Sequence, residues 1–315
     1  VRSGVRVEAG ADPRVELVGA LQSLARGAPP PTALESLAAR LRGQRRHPAV
    51  AACARLGDGD ALGLVVQLLS ADARLEWRRP REMLSPDFAA ACGGFDGLEK
   101  LLELVRDFAR RSRFFALCAD AAADYAPAVR AARAGLRTGA RQALLLERYL
   151  GERLPAHLRF VLCGLYRSGR YNAYILPYPY PRPGESAPPR GPYDVVTLLP
   201  LFAEEEFEFD SPLQTGLLQE LVYCWAEPFV WAYRRELLGD APPPDLQYRT
   251  TRVLVDLLSI RAAERAGLRS AVARPKGPLA DRVRAALGRY ERGGARSLAQ
   301  FAPALARAMT PARGA

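Results

Sequence analysis

Glu220 is the residue of this 315-residue chain least at home among its neighbours. It lies in TGLLQELVYCWAEPFVWAY, residues 215–233, where almost every neighbour is apolar. A charged side chain in such company needs a partner or a task. If the stretch is helical, Gln219 and Tyr223 stand one turn apart on one face with Glu220 beside them. In the pattern H-E-x-x-H, that spacing presents two histidines to one metal ion while the glutamate activates bound water. Here the five positions read Gln219, Glu220, Leu221, Val222, Tyr223. The glutamate is kept and both imidazoles are replaced, so the pattern by itself carries no chemistry.

Few other residues can compete. The chain has two histidines, His47 and His157, which leaves little room for a histidine-based mechanism. His157 and Cys163 could be drawn as a Cys–His dyad, but their spacing gives it no support; His47, in R-R-H-P, reads as a loop residue. The five cysteines are scattered, odd in number and free of any C-x-x-C pair, which argues against a zinc knuckle and against a disulfide framework. The segment ILPYPYPRP reads as an ordered loop with polyproline character. The run EEEFEFD, ending at Asp210, reads as a solvated acidic edge.

The net charge of +11 raises the question of nucleic acid. The basic residues are nearly all arginine, with lysine only at Lys100 and Lys276, and they alternate with Asp and Glu along the chain. That distribution describes solvated helix faces, and no aromatic-plus-basic RNA motif, finger spacing or helix-turn-helix accompanies it. Nucleic acid is therefore not an expected partner. No run of 18 uninterrupted apolar residues occurs, so no transmembrane segment is expected. A first residue of Val leads us to expect that a preceding segment has been removed or left out.

The elements that must position Glu220 are legible in outline. A short alternating strand leads to Asp12-Pro13, an N-cap followed by proline at the first helical position. Helical periodicity then runs to about Leu154, as in Leu98, Leu101, Leu102, Val105 and Phe108, with breaks at 27–32, 57–60, 77–86 and 92–97. Strand-like RFVLCGLY and YNAYILPYPY, joined by the turn-like residues 167–170, predict a hairpin, and YDVVTLLPLF a third strand. The Glu220 helix follows, expected to be central, buried and kinked or ended at Pro228. Helices over about 248–266, around Val283 to Tyr290 and over 298–309 complete the chain. The expectation is a mostly helical α+β fold and a single domain over 1–315. Within it, residues 12–155 form a helical subregion, and 156–315 hold a small middle sheet, a central helix and C-terminal helices.

The order of these pieces resembles a bacterial domain-of-unknown-function family of predicted secreted zinc metallopeptidases of the H-E-x-x-H type. ADPRVELVGALQSLA, RRHPAV (45–50), YDVVTLLPLF and QELVYCWAEPFV match its successive elements over about residues 7–290. The resemblance implies that Gln219 and Tyr223 occupy former zinc-ligand positions, that Glu220 is a vestigial general base, and that Asp256 is the nearest candidate for a third, carboxylate ligand. It also points to the bacterial envelope or exterior. An amide and a phenol are poor zinc donors, so the expectation is a degenerate member: no bound zinc, no hydrolysis, and a role in binding peptide or protein. Two alternatives stay open: an active hydrolase with an unorthodox metal site using Glu220 and Asp256, and an Arg-rich binder of nucleic acid or another acidic polymer.

Overall fold

The computed structural model describes residues 5–27, 34–72, 74–76, 86–166, 172–176, 193–200, 211–240, 244–265, 267, 270 and 272–310. Among these the chain builds a mostly helical α+β fold around one four-stranded sheet. β1 (Arg6–Ala11) passes into α1 (Pro13–Arg26) through Asp12, whose carboxylate accepts the Arg14 amide at 2.9 Å. The Arg14 guanidinium returns to the same carboxylate and also donates to the carbonyls of Leu69 and Ala71, at 3.2 and 2.9 Å. One short motif thus caps α1 and ties it to the end of α4 (Asp58–Leu69).

The helical half continues through α2 (Glu35–Leu41), α3 (Pro48–Ala54), α5 (Pro86–Ala91), α6 (Phe95–Arg111), α7 (Phe114–Asp120) and α8 (Ala126–Leu150). The apolar stripe of α6 is buried as its periodicity requires. His47 is not a plain loop residue. Its Nδ1 accepts the Ala49 amide at 3.2 Å as the N-cap of α3, which leaves Nε2 to donate to Asp107 at 3.1 Å, and its ring meets Phe108 edge-on. The proline that suggested a turn is the first residue of the helix it caps.

The sheet is formed by β1, β2 (Ala156–Cys163), β3 (Asn172–Leu176) and β4 (Tyr193–Pro200) in the order β1-β2-β4-β3. β1 and β4 flank β2 in parallel, and β3 pairs antiparallel with β4. The expected hairpin between β2 and β3 does not form: β4 lies between them. Two causes are visible. β2 and β4 are buried over most of their length, as central parallel strands are. The chain leaving β2 is also held by α1: the buried Glu16 carboxylate accepts the amides of Gly164 and Leu165, each at 2.6 Å. Gly19, one turn on, permits this approach, since a Cβ there would lie 2.1 Å from the Tyr166 nitrogen. Residues 167–170 lie outside the described residues, as do the EEEFEFD run and all of ILPYPYPRP beyond Leu176.

α9 (Ser211–Ala232) packs against α8, the sheet and α11 (Pro244–Arg265). Leu217, Leu221, Val222, Ala226 and Val230 are fully or nearly fully buried, so the helix is central as expected. It does not stop at Pro228. A proline inside a helix costs about 3 kcal/mol, and the four buried Leu and Val side chains at roughly 1.5–3 kcal/mol each outweigh that. α10 (Arg234–Leu238), α12 (Pro278–Arg292) and α13 (Leu298–Met309) follow. Buried apolar side chains from Val5 to Met309 form one continuous cluster.

Candidate functional site between α9 and α11

α9 and α11 run antiparallel and are joined by polar pairs at four-residue steps along α9. Gln219 Nε2 donates to Asp256 Oδ1 at 2.8 Å. One turn on, the Tyr223 phenol meets the Arg252 guanidinium. After one further turn, Gln247 Nε2 donates to Glu227 Oε1 at 3.0 Å, with the Thr251 hydroxyl beside the same carboxylate. Side chains three and four apart line one face of a helix, so two such faces opposed across a helix pair create a polar seam within an apolar packing.

Arg252 is the centre of this seam. Its Nε lies 3.1 and 3.3 Å from the two oxygens of Asp256, while its charge also reaches Tyr223 and Glu220. Burial pushes the Glu220 carboxyl up to about 7, with Arg252 opposing the rise. Among the described residues the Glu220 carboxylate accepts no hydrogen bond, and the nearby guanidinium is its compensation. Burial also raises Asp256, and Arg252 and Gln219 work against it. The Tyr223 phenol rises to about 12 through burial despite Arg252, and therefore keeps its proton at neutral pH. Glu227, 2% exposed, is raised by burial and lowered by Gln247 and Thr251.

The structure thus brings Gln219, Tyr223 and Asp256 together through Arg252, with Glu220 at the same guanidinium. Four members of the seam, Arg252, Glu227, Gln247 and Thr251, are missed by sequence reasoning. Arg252 is the i−4 neighbour of Asp256, and Glu227 follows Glu220 by seven residues, two turns along the same face. Both spacings are present in the sequence. What concealed them is the number of arginines and acids elsewhere at equally good spacing.

The donors at these positions do not fit zinc. Gln219 offers a neutral amide whose nitrogen is already committed to Asp256, Tyr223 a protonated phenol, and Asp256 a carboxylate held by a cation. A Zn²⁺ ion would have to displace or sit against the Arg252 guanidinium, and no imidazole or thiolate compensates. Among the described residues no group of three or more His, Cys, Asp or Glu could hold a metal ion.

The remaining candidates fall apart on position. His157 faces Asp194, Nδ1 to Oδ1 3.4 Å, six residues along β2 from the buried Cys163, so no dyad forms. On the other side of α9, Trp225, Pro228 and Phe229 line a cleft of about 430 Å³ with Tyr193 and Tyr233. Trp225 and Phe229 stack at 5.1 Å, and Trp225 Nε1 donates to Glu152 at 2.8 Å. No helix among the described residues is long and apolar enough to cross a membrane. Comparison of the chain with protein-family models, curated proteins and solved structures gives no match.

Proposed function

We propose that the protein is a metallopeptidase-like pseudoenzyme in which an internal ion pair stands where a related enzyme would hold zinc, and that it acts by binding peptide or protein. The observation that carries this reading is the closed chain Gln219–Asp256–Arg252–Tyr223, in which each former ligand position is already satisfied by another side chain. A positive guanidinium beside Glu220 does electrostatically what a bound cation would do for that carboxylate, without offering a coordination site for water. The 430 Å³ aromatic cleft on the opposite face of α9 supplies the type of surface that peptide side chains occupy.

A second reading has one observation in its favour. A glutamate raised to about 7 is suited to proton transfer at neutral pH, which would fit a hydrolase that keeps Glu220 as base. Metal analysis of the purified protein, together with a broad peptide-hydrolysis assay, separates the two. The pseudoenzyme reading expects zinc far below one per chain and no hydrolysis above background. Stoichiometric zinc that is lost in Asp256→Ala, or hydrolysis abolished by Glu220→Gln, overturns it.

A further inference from the structure

A second concavity, of about 470 Å³, lies where the end of α8 meets α11, the end of α12 and the turn into α13. It stands on the opposite face of α11 from Asp256, because Arg261 and Arg265 are turned roughly 140–180° away from that carboxylate. It is therefore separate from the seam just described. Three arginines line it, Arg148, Arg265 and Arg296, together with Tyr149, Tyr290 and Glu291.

The hydrogen bonding inside the cavity is unequal. Tyr149 Oη donates to Glu291 at 3.1 Å and Tyr290 Oη to the Tyr149 carbonyl at 2.8 Å, so both phenolic hydrogens are used. Arg265 makes only a distant pairing with Glu291, at 3.9 Å. Arg261 stands behind and is shared between Glu291 at 3.7 Å and Glu264 at 3.5 Å. The guanidiniums of Arg148 and Arg296 form no hydrogen bond or ion pair among the described residues. The donors left unused in this cavity are thus all cationic.

The walls are held in place without a ligand. Tyr149 and Tyr290 pack edge to face at 6.0 Å, which fixes α8 against α12. Gly151 ends α8 with φ +71°, and a Cβ there would lie 2.1 Å from the Arg296 carbonyl oxygen, so the turn carrying Arg296 is pressed against the end of α8. Arg148, in the last turn of α8, also complements that helix's dipole. That role asks for one charge, and does not explain three arginines lining one hollow.

We propose that this cavity binds the phosphate group of a small phosphorylated molecule, with Arg148 and Arg296 as its anchors. Charge decides for phosphate over carboxylate. Three lining guanidiniums against the one Glu291 carboxylate leave two positive charges, which a phosphate of about −1.5 to −2 at neutral pH matches and a monocarboxylate does not. Arginine's planar fork is also the donor geometry that pairs two phosphate oxygens at once. Size decides for a small molecule: the volume falls within the range of small-ligand pockets, about 300–1,000 Å³, and the three exposed arginines are all among the residues that line it. Glu291, at the cavity wall, can accept from a hydroxyl next to the phosphate.

Calorimetric titration of the full chain with inorganic phosphate and with pyrophosphate, at fixed ionic strength, tests this. Saturable one-site binding is expected for pyrophosphate, weakened at least about tenfold in Arg148→Ala/Arg296→Ala and unchanged in Arg46→Ala, an exposed arginine elsewhere. Glu291→Gln should tighten binding severalfold, an effect that a purely structural role for Glu291 would not produce. The single changes Arg148→Gln and Arg296→Gln, each of which should weaken binding, repeat the test should the double variant not fold. The proposal is overturned by absence of saturable binding at millimolar pyrophosphate, by unaltered affinity in the anchor variants, or by equal weakening in Arg46→Ala.

Discussion

The Gln219 amide donates to Asp256 across the α9–α11 interface at 2.8 Å, and the same carboxylate is held by Arg252 from one turn earlier on its own helix. This arrangement settles three polar side chains in a mostly apolar interface with one cation. It also bears on the register of the helix pair, because sliding α9 by one turn would set Tyr223 opposite Asp256 and leave Gln219 without its partner. A buried polar seam is worth little in net stability compared with apolar packing, yet breaking one member is costly.

Introducing two histidines tests whether Asp256 can converge with positions 219 and 223 on one metal ion. Gln219→His with Tyr223→His supplies two imidazoles one turn apart, and Arg252→Ala removes the opposing charge. The triple variant is expected to bind zinc at least about tenfold more tightly than the double variant, as read by competition with a chromophoric chelator. If the triple variant gains no zinc affinity, Asp256 does not converge with positions 219 and 223 on a common point.

Glu220 makes stability fall with rising pH. Its folded-state pKa is raised from 4.5 to about 7, so the folded chain holds a proton that the unfolded chain releases between those values. Stability from this group is full below about pH 4.5 and is lost as pH rises through 7. Glu220→Gln removes the ionisation while keeping the shape. It should raise the unfolding free energy read from urea denaturation at pH 8, by roughly 1–2 kcal/mol once residual solvation is allowed for, and leave it unchanged near pH 4.5. A loss of stability at pH 8 would show that the charged form of Glu220 is favoured in the fold.

Burial raises Glu16 to about 7 as well, but its two oxygens each accept a backbone amide at 2.6 Å. Glu16→Gln places an NH₂ against one of those donors, leaving it unsatisfied, and is expected to cost roughly 1–3 kcal/mol. Gly19→Ala drives a methyl into the Tyr166 backbone, where no rotamer change can relieve it, and should cost at least as much. Thermal denaturation of both variants checks the order, and a neutral Gly19→Ala would mean that α1 does not approach residues 164–166 so closely.

Local rules made much of the fold legible. Asp12-Pro13 gave the start of α1, period-3.6 stripes gave α6 and α12, and the all-round apolarity of 215–233 gave a central helix. The strand order was not legible, because turn residues after β2 signal a reversal but do not say which strand will lie alongside. Glu16 settles that from 148 residues away, and nothing in its local sequence distinguishes it from a solvated glutamate in the first turn of a helix. The same limit applies to the seam. Gln219, Glu220, Tyr223 and Asp256 stand out by position in their helices, whereas Arg252 and Glu227 gain their meaning only when α9 and α11 are opposed.

Arg252 provides the most direct test of the seam. Arg252→Ala leaves Asp256 and Glu220 without the cation that lowers each, so both carboxyls should titrate higher than in the unaltered chain. Stability should then fall most at pH 8, where both would be ionised, and least near pH 5, where protons replace the guanidinium. A fully buried pair broken in this way costs about 3–5 kcal/mol. With Arg252 43% exposed, roughly 1–2 kcal/mol is expected at pH 8, measured by urea denaturation at the two pH values. Arg252→Lys keeps the charge but loses the fork to Asp256, and should recover part of the pH 8 loss. A loss of equal size at both pH values would mean that Arg252 contributes packing alone, and the proposal that an internal cation stands in for a metal would lose its support.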